Sequence, residues 1–114
     1  MNIVVNMITG IVALLHGYFL ILEMFLWEKP AGRKSFRTTA EFAAQSKTLA
    51  ANQGLYNGFL AAGLIWGIFA GDPVKIFFLS CVAVAGIFGA FTVSKRIFYI
   101  QALPALIGLA LLLI

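Results

Sequence analysis

His16 and Glu23 interrupt the apolar run Ile3 to Trp27, and a polar string, Asn52-Gln53-Gly54-Leu55-Tyr56-Asn57-Gly58, opens another. Carboxyl, imidazole and amide groups cost several kcal/mol each in hydrocarbon unless they are paired or serve a task. These residues therefore mark the place where chemistry is expected. At about 100° per residue, positions seven apart differ by roughly 20°, so His16, Glu23 and Trp27 form one stripe on a helix. His16 and Glu23 are about 10.5 Å apart along the axis, too far for a direct acid/base dyad, so a ligand, waters or neighbouring side chains must bridge them. A carboxyl at this depth suits a proton donor or a cation partner, and His16 is the one side chain that titrates near neutrality. Asn52 with Tyr56, and Gln53 with Asn57, are pairs four apart and give a polar helix face that can fix a ligand by hydrogen bonds. Gly54, Gly58 and Gly63 leave notches for a helix or a ligand. The plainer alternative is that the amides only join helices, as interhelical amide bonds commonly do.

The elements that must position these groups follow from composition. The chain has 114 residues, 62% of them hydrophobic and 11% charged, with a mean hydropathy of +1.01, which marks an integral membrane protein. Its net charge of +4 sits in loops beside apolar segments, which points to anionic lipid headgroups and away from nucleic acid. The single cysteine, Cys81, forms no internal disulfide and belongs to no zinc or redox motif. No phosphate loop, nucleophile elbow, HExxH or paired-carboxylate spacing occurs, so no metal or cofactor is expected. Met1-Asn2-Ile3 lacks a basic region and no small-residue cleavage pattern follows, so the first apolar segment is expected to stay as a helix.

Apolar runs predict four spans: Ile3 to Trp27, Leu49 to Ala70, Val74 to Val93 and Ile97 to Ile114. The shortest, about 18 residues, reaches roughly 27 Å against a bilayer core of roughly 30 Å. Gly71-Asp72-Pro73 and Ser94-Lys95-Arg96 predict tight connections. In the longer connection, residues 28–48, Thr38 with Glu41 fits a capping box, and Phe36, Ala40, Phe42, Ala43 and Ala44 supply an apolar face for a short interfacial helix.

Lys29, Arg33, Lys34, Arg37 and Lys47 lie in the first connection and Lys95 and Arg96 in the third; the opposite side has Lys75 alone. Seven against one predicts a multi-pass protein of the cell membrane, with residues 28–48 and 94–96 cytoplasmic and both termini outside. Glu23 then lies about 6 Å from the inner end of its span and His16 about 16 Å. Asn52 and Asn57 stand about 5 and 12 Å above Leu49, in the same cytoplasmic half as Glu23. Gln101, followed by Pro104, reaches a similar level on span four and is a further candidate for the same cavity. Trp27 and Trp66 fall near opposite boundaries, as an aromatic belt does. Ala85-Gly86 with Gly89-Ala90 predicts a close-packing seam on span three. The fold class expected is all-α: one transmembrane domain over residues 1–114, built as a four-helix bundle.

The segments from His16-Gly17-Tyr18 through Glu23-Met24-Phe25-Leu26-Trp27, Ala51 to Ala61, Gly86 to Thr92, and Gln101 with Pro104-Ala105 resemble the DUF1304 family of small bacterial four-helix membrane proteins of unknown function. The resemblance covers almost the whole chain. It implies four spans, with His16, Glu23, Asn52, Gln53, Tyr56, Asn57 and Gln101 matching the family's polar motifs.

Three functions compete. The first is binding or transformation of a small amphipathic molecule or lipid in an inward-opening polar pocket, with His16 and Glu23 handling protons or a cationic group; isomerisation would suit such a pair because moving a proton needs no cofactor. In the second, the chain is a structural or assembly subunit that buries the polar face against another protein, a homodimer being one form. A proton-coupled exporter is the third: the length, four spans and a membrane Glu are similar to small multidrug-resistance transporters. Those work as antiparallel pairs with balanced loop charge, which the seven-to-one bias disfavours.

Overall fold

The computed structural model describes residues 2–114; Met1, part of the amino-terminal stretch considered above, lies outside them. Five α-helices and one π-helical turn follow in order, with no strand among the described residues: α1 (Asn2–Met24), α2 (Pro30–Phe36), α3 (Ala40–Ala70), α4 (Asp72–Thr92), the π turn (Phe98–Ala102) and α5 (Leu103–Leu113). Among the described residues, two helices are long and apolar enough to cross a membrane, Ile3–Met24 within α1 and the whole of α4. The segment Phe98–Leu113 is apolar but shorter. In α3 the amides at 52, 53 and 57 dilute an otherwise apolar stretch that begins at residue 49.

Two compact units divide the chain, one of residues up to Leu14 with Leu60–Ile114, the other Leu15–Phe59. In the first, Val12, Ala13, Leu64, Leu79, Val82, Ala83 and Ala105 form a buried apolar core flanked by Ile8, Leu60, Phe78 and Leu106. The predicted small-residue seam is present. A Cβ added at Gly86 would lie 2.6 Å from the backbone nitrogen of Ala102, and one at Gly89 would lie 2.9 Å from Ile97 Cγ2. Gly71 alone separates α3 from α4, at φ 116°, a conformation that glycine adopts without a Cβ clash, and Pro73 then opens α4. The π turn has a local cause. Pro104 has no N–H for the carbonyl of Ile100 and its ring crowds that carbonyl, so the ladder widens and the Leu103 N–H bonds to Phe98 O instead.

In the second unit two boundaries differ from expectation. The first span was predicted to run to Trp27, but α1 stops at Met24, where Phe25 and Leu26 both donate to Ile21 O at 3.0 and 3.2 Å and Lys29 donates to Leu26 O at 3.0 Å. The chain reverses here, and Gly32 packs on the Leu26 carbonyl where no Cβ would fit. The short helix of this connection is α2, started by Pro30, and not a helix beginning at the Thr38 box. Arg37 closes α2 in the left-handed region at φ 56°, which leaves Thr38 in the turn and makes Thr39 the cap. The Phe42 N–H donates to Thr39 Oγ1 at 3.1 Å. From Ala40 the helix runs unbroken to Ala70, so Lys47, expected in the loop, stands on α3 and lies 3.6 Å from Glu28.

Candidate functional site

Glu23 lies on the last turn of α1 and Gln53 and Asn57 lie one turn apart on α3, all within the unit Leu15–Phe59. What brings them together is the glycine pair. Gly54 sits against the Met24 side chain, Glu23 Cβ and the Leu20 carbonyl, with room so small that an added Cβ would come 2.7 Å from Met24 Cγ and 3.1 Å from Glu23 Cβ. Gly58, four residues on, admits the Leu20 side chain in the same way, at 2.6 Å. This small-xxx-small ridge lets the backbones approach closely. Each amide immediately precedes one of the glycines, so the pair reaches the carboxyl group on the facing helix.

The contact is bidentate. Gln53 Nε2 donates to Glu23 Oε2 and Asn57 Nδ2 donates to Glu23 Oε1, both at 2.6 Å. Each carboxyl oxygen thus accepts one amide N–H, and the two bonds fix the plane of the group against α3. Glu23 is 2% exposed and Asn57 9%, whereas Gln53 is exposed. Asn57 is thus an interior partner and Gln53 covers the carboxylate from the open side. Among the described residues no cation forms an ion pair with Glu23.

His16 is fully buried, with its ring edge-on to Phe19 at 5.4 Å between centroids. It lies seven residues before Glu23 on α1, which is about 10.5 Å along a regular helix axis. Asn52 and Tyr56 do not join the cluster. They are exposed, Tyr56 at 57%, with its ring 5.9 Å from that of Phe59. The reason is angular: a position one residue off a buried face turns about 100° away from it. Gln101 is half-buried in the π turn and belongs to the other unit. Trp27, expected as a belt residue, packs on Phe36 at 5.0 Å and donates from Nε1 to Ser46 Oγ at 3.1 Å; Ser46 in turn donates to Phe42 O. Among the described residues no group of three or more His, Cys, Asp or Glu side chains could hold a metal ion.

Sequence reasoning passed over one polar cluster in the first unit. Lys75 is 3% exposed, and its Nζ donates to Asn6 Oδ1 at 2.7 Å and lies 3.3 Å from Asp72 Oδ1. Its signals were Asn6 inside an apolar run and an Asp–Lys spacing of three at a helix start.

Comparison with known proteins adds kinship without activity. The family described as "Protein of unknown function (DUF1304)" matches residues 10–113. The uncharacterized protein YpaA of Lactococcus lactis is 31% identical over 115 residues, covering 96% of this chain and 96% of that protein. No solved structure matches.

Proposed function

This chain belongs to the DUF1304 family, and from that premise we propose that it is a multi-pass membrane protein that holds a small amphipathic molecule by its polar head at Glu23, Gln53 and Asn57. The observation that carries the proposal is the buried carboxylate clamped by two neutral amides at 2.6 Å each. A group that only joined helices would be served as well by an amide, without the desolvation of a charge. The four crossings we infer are α1, residues 49–70 of α3, α4 and the segment Phe98–Leu113. The basic residues around α2 and at Lys95 and Arg96 support a cytoplasmic position for those ends and a site in the inner half of the bilayer. His16, on the same stripe as Glu23, serves as a second polar contact deeper along α1.

The test is to purify the protein in discs of its native membrane and identify small molecules retained by wild type but lost from Glu23→Gln and Asn57→Ala. Loss of a defined species supports the reading. Identical extracts from all three forms, or the C-terminus and residue 34 reported on the same side of the membrane, would refute it.

A second reading rests on Asn52 and Tyr56, which stay exposed on α3. Bare amides facing lipid are costly, so a protein surface, such as a second copy of this chain, would cover them. Under this reading Asn52→Leu changes the association state and leaves small-molecule retention intact.

A further inference from the structure

The geometry points to the chemical class of that ligand: an amphiphile with a primary ammonium head, admitted to Glu23 by displacement of Gln53. This rests on the reading of the site as an amphiphile pocket and specifies its head group. Three observations carry it.

The first is charge. Both donors to Glu23 are neutral, and no cation among the described residues pairs with it. A buried carboxylate is stable when a positive charge faces it, and this unit leaves that place to something else. An anionic head would be repelled, and a neutral hydroxyl would supply a hydrogen bond without the charge.

The second is acceptor capacity. A carboxylate offers about four lone-pair sites, and two are used here. The rest accept N–H donors, which a primary ammonium carries and a quaternary ammonium lacks.

The third is access. Asn57 is buried but Gln53 is exposed, so the bond to Oε2 is the one that can be exchanged without opening the helix pair. Tyr56 stands three residues on along α3, and its 57% exposed ring, paired with Phe59, is a π face within one helical turn of Gln53.

The experiment uses the full chain in phosphatidylcholine discs doped with one of four tail-matched probes: hexadecylamine, hexadecyltrimethylammonium, hexadecanol or hexadecanoic acid. Binding is read by native mass spectrometry and by the thermal midpoint from tryptophan fluorescence. Hexadecylamine is expected to bind and to raise the midpoint, the other three weakly or not at all, and Glu23→Gln to weaken amine binding by about tenfold or more. Gln53→Ala keeps the proposal testable if Glu23→Gln fails to fold: with the competing donor removed, amine binding tightens by about tenfold, which a residue of structural duty alone would not produce. Equal binding of amine and trimethylammonium, or preference for the alcohol or the acid, overturns the head-group assignment and leaves the pocket standing. If none of the four binds, the amphiphile reading itself fails.

Discussion

Asn57 and Glu23 are 34 residues apart in the chain and meet through a single 2.6 Å hydrogen bond between a 9% exposed amide and a 2% exposed carboxyl group. Because Asn57 is buried and holds the inner oxygen, Oε1, neither end of this bond can fall back on water. Removing one strands the other, while removing both leaves nothing unsatisfied. Asn57→Leu alone is therefore expected to destabilise the protein by about 1.5–3 kcal/mol, and Glu23→Leu with Asn57→Leu by less than the sum of the singles. Denaturation of the four forms in one detergent measures the coupling. Strictly additive losses would show that the bond carries no specific energy.

Gln53 makes a bond of the same length from an exposed position, and the two partners should not behave alike. Gln53→Ala is expected to cost less than Asn57→Ala, with a difference of about 1 kcal/mol, since water or a headgroup can reach the oxygen it leaves. The same denaturation series checks the ranking. An equal or larger loss at Gln53 would mean that the open side of the carboxylate is closed in the membrane.

The spacing of this site was legible where covalent pattern and hydrophobicity act alone. Apolar runs located the helices that carry Glu23 and the amides, and Gly71 and Pro73 located the turn into α4. Which amides would turn inward was not legible from the polar pattern, since 52/56 and 53/57 repeat with the same period. The glycines at 54 and 58 break that degeneracy because close approach happens on their side of the helix, and the amides next to them follow. Helix ends were missed where two rules competed. Thr38-x-x-Glu41 reads as a cap, but the left-handed Arg37 passes that role to Thr39. Lys75 with Asn6 escaped notice because the partners stand 69 residues apart and no local periodicity links them.

That Lys75 cluster predicts its own mutant pattern. Lys75→Met keeps the length of the side chain but removes the donor to Asn6 Oδ1, so a loss of about 1–3 kcal/mol is expected. Pairing it with Asn6→Leu should recover most of the loss, because an apolar pair of similar volume needs no hydrogen bond. Asp72→Asn should change stability by less than about 1 kcal/mol, since the Asp72 side chain is 58% exposed and its ion pair is screened by solvent. Thermal midpoints of the four forms decide the matter. A full-sized effect at Asp72, with no recovery when Asn6→Leu is added to Lys75→Met, would assign Lys75 to the ion pair and not to the amide.

Two glycines in helix interiors separate close packing from helix propensity. At Gly17 an added Cβ meets nothing within 4 Å, whereas at Gly86 it meets the nitrogen, Cα and Cβ of Ala102 at 2.6, 2.9 and 2.8 Å. Alanine is the better helix former, so Gly17→Ala is expected to leave stability unchanged or raise it by up to about 1 kcal/mol. At Gly86 the obstacle is mainly backbone, which cannot rotate aside as a long side chain would. Gly86→Ala must push α4 from the π turn and should lower stability by about 1–3 kcal/mol. If Pro104 is what holds that turn in its widened form, Pro104→Ala lets the segment relax toward an α-helix. That change would shift Ala102 and alter the penalty at Gly86, so the two substitutions should combine non-additively. Unfolding of the single and double variants in a common detergent measures this. Equal effects at Gly17 and Gly86 would show that the α4 seam is looser than its geometry, and additive effects at 86 and 104 would separate the seam from the turn.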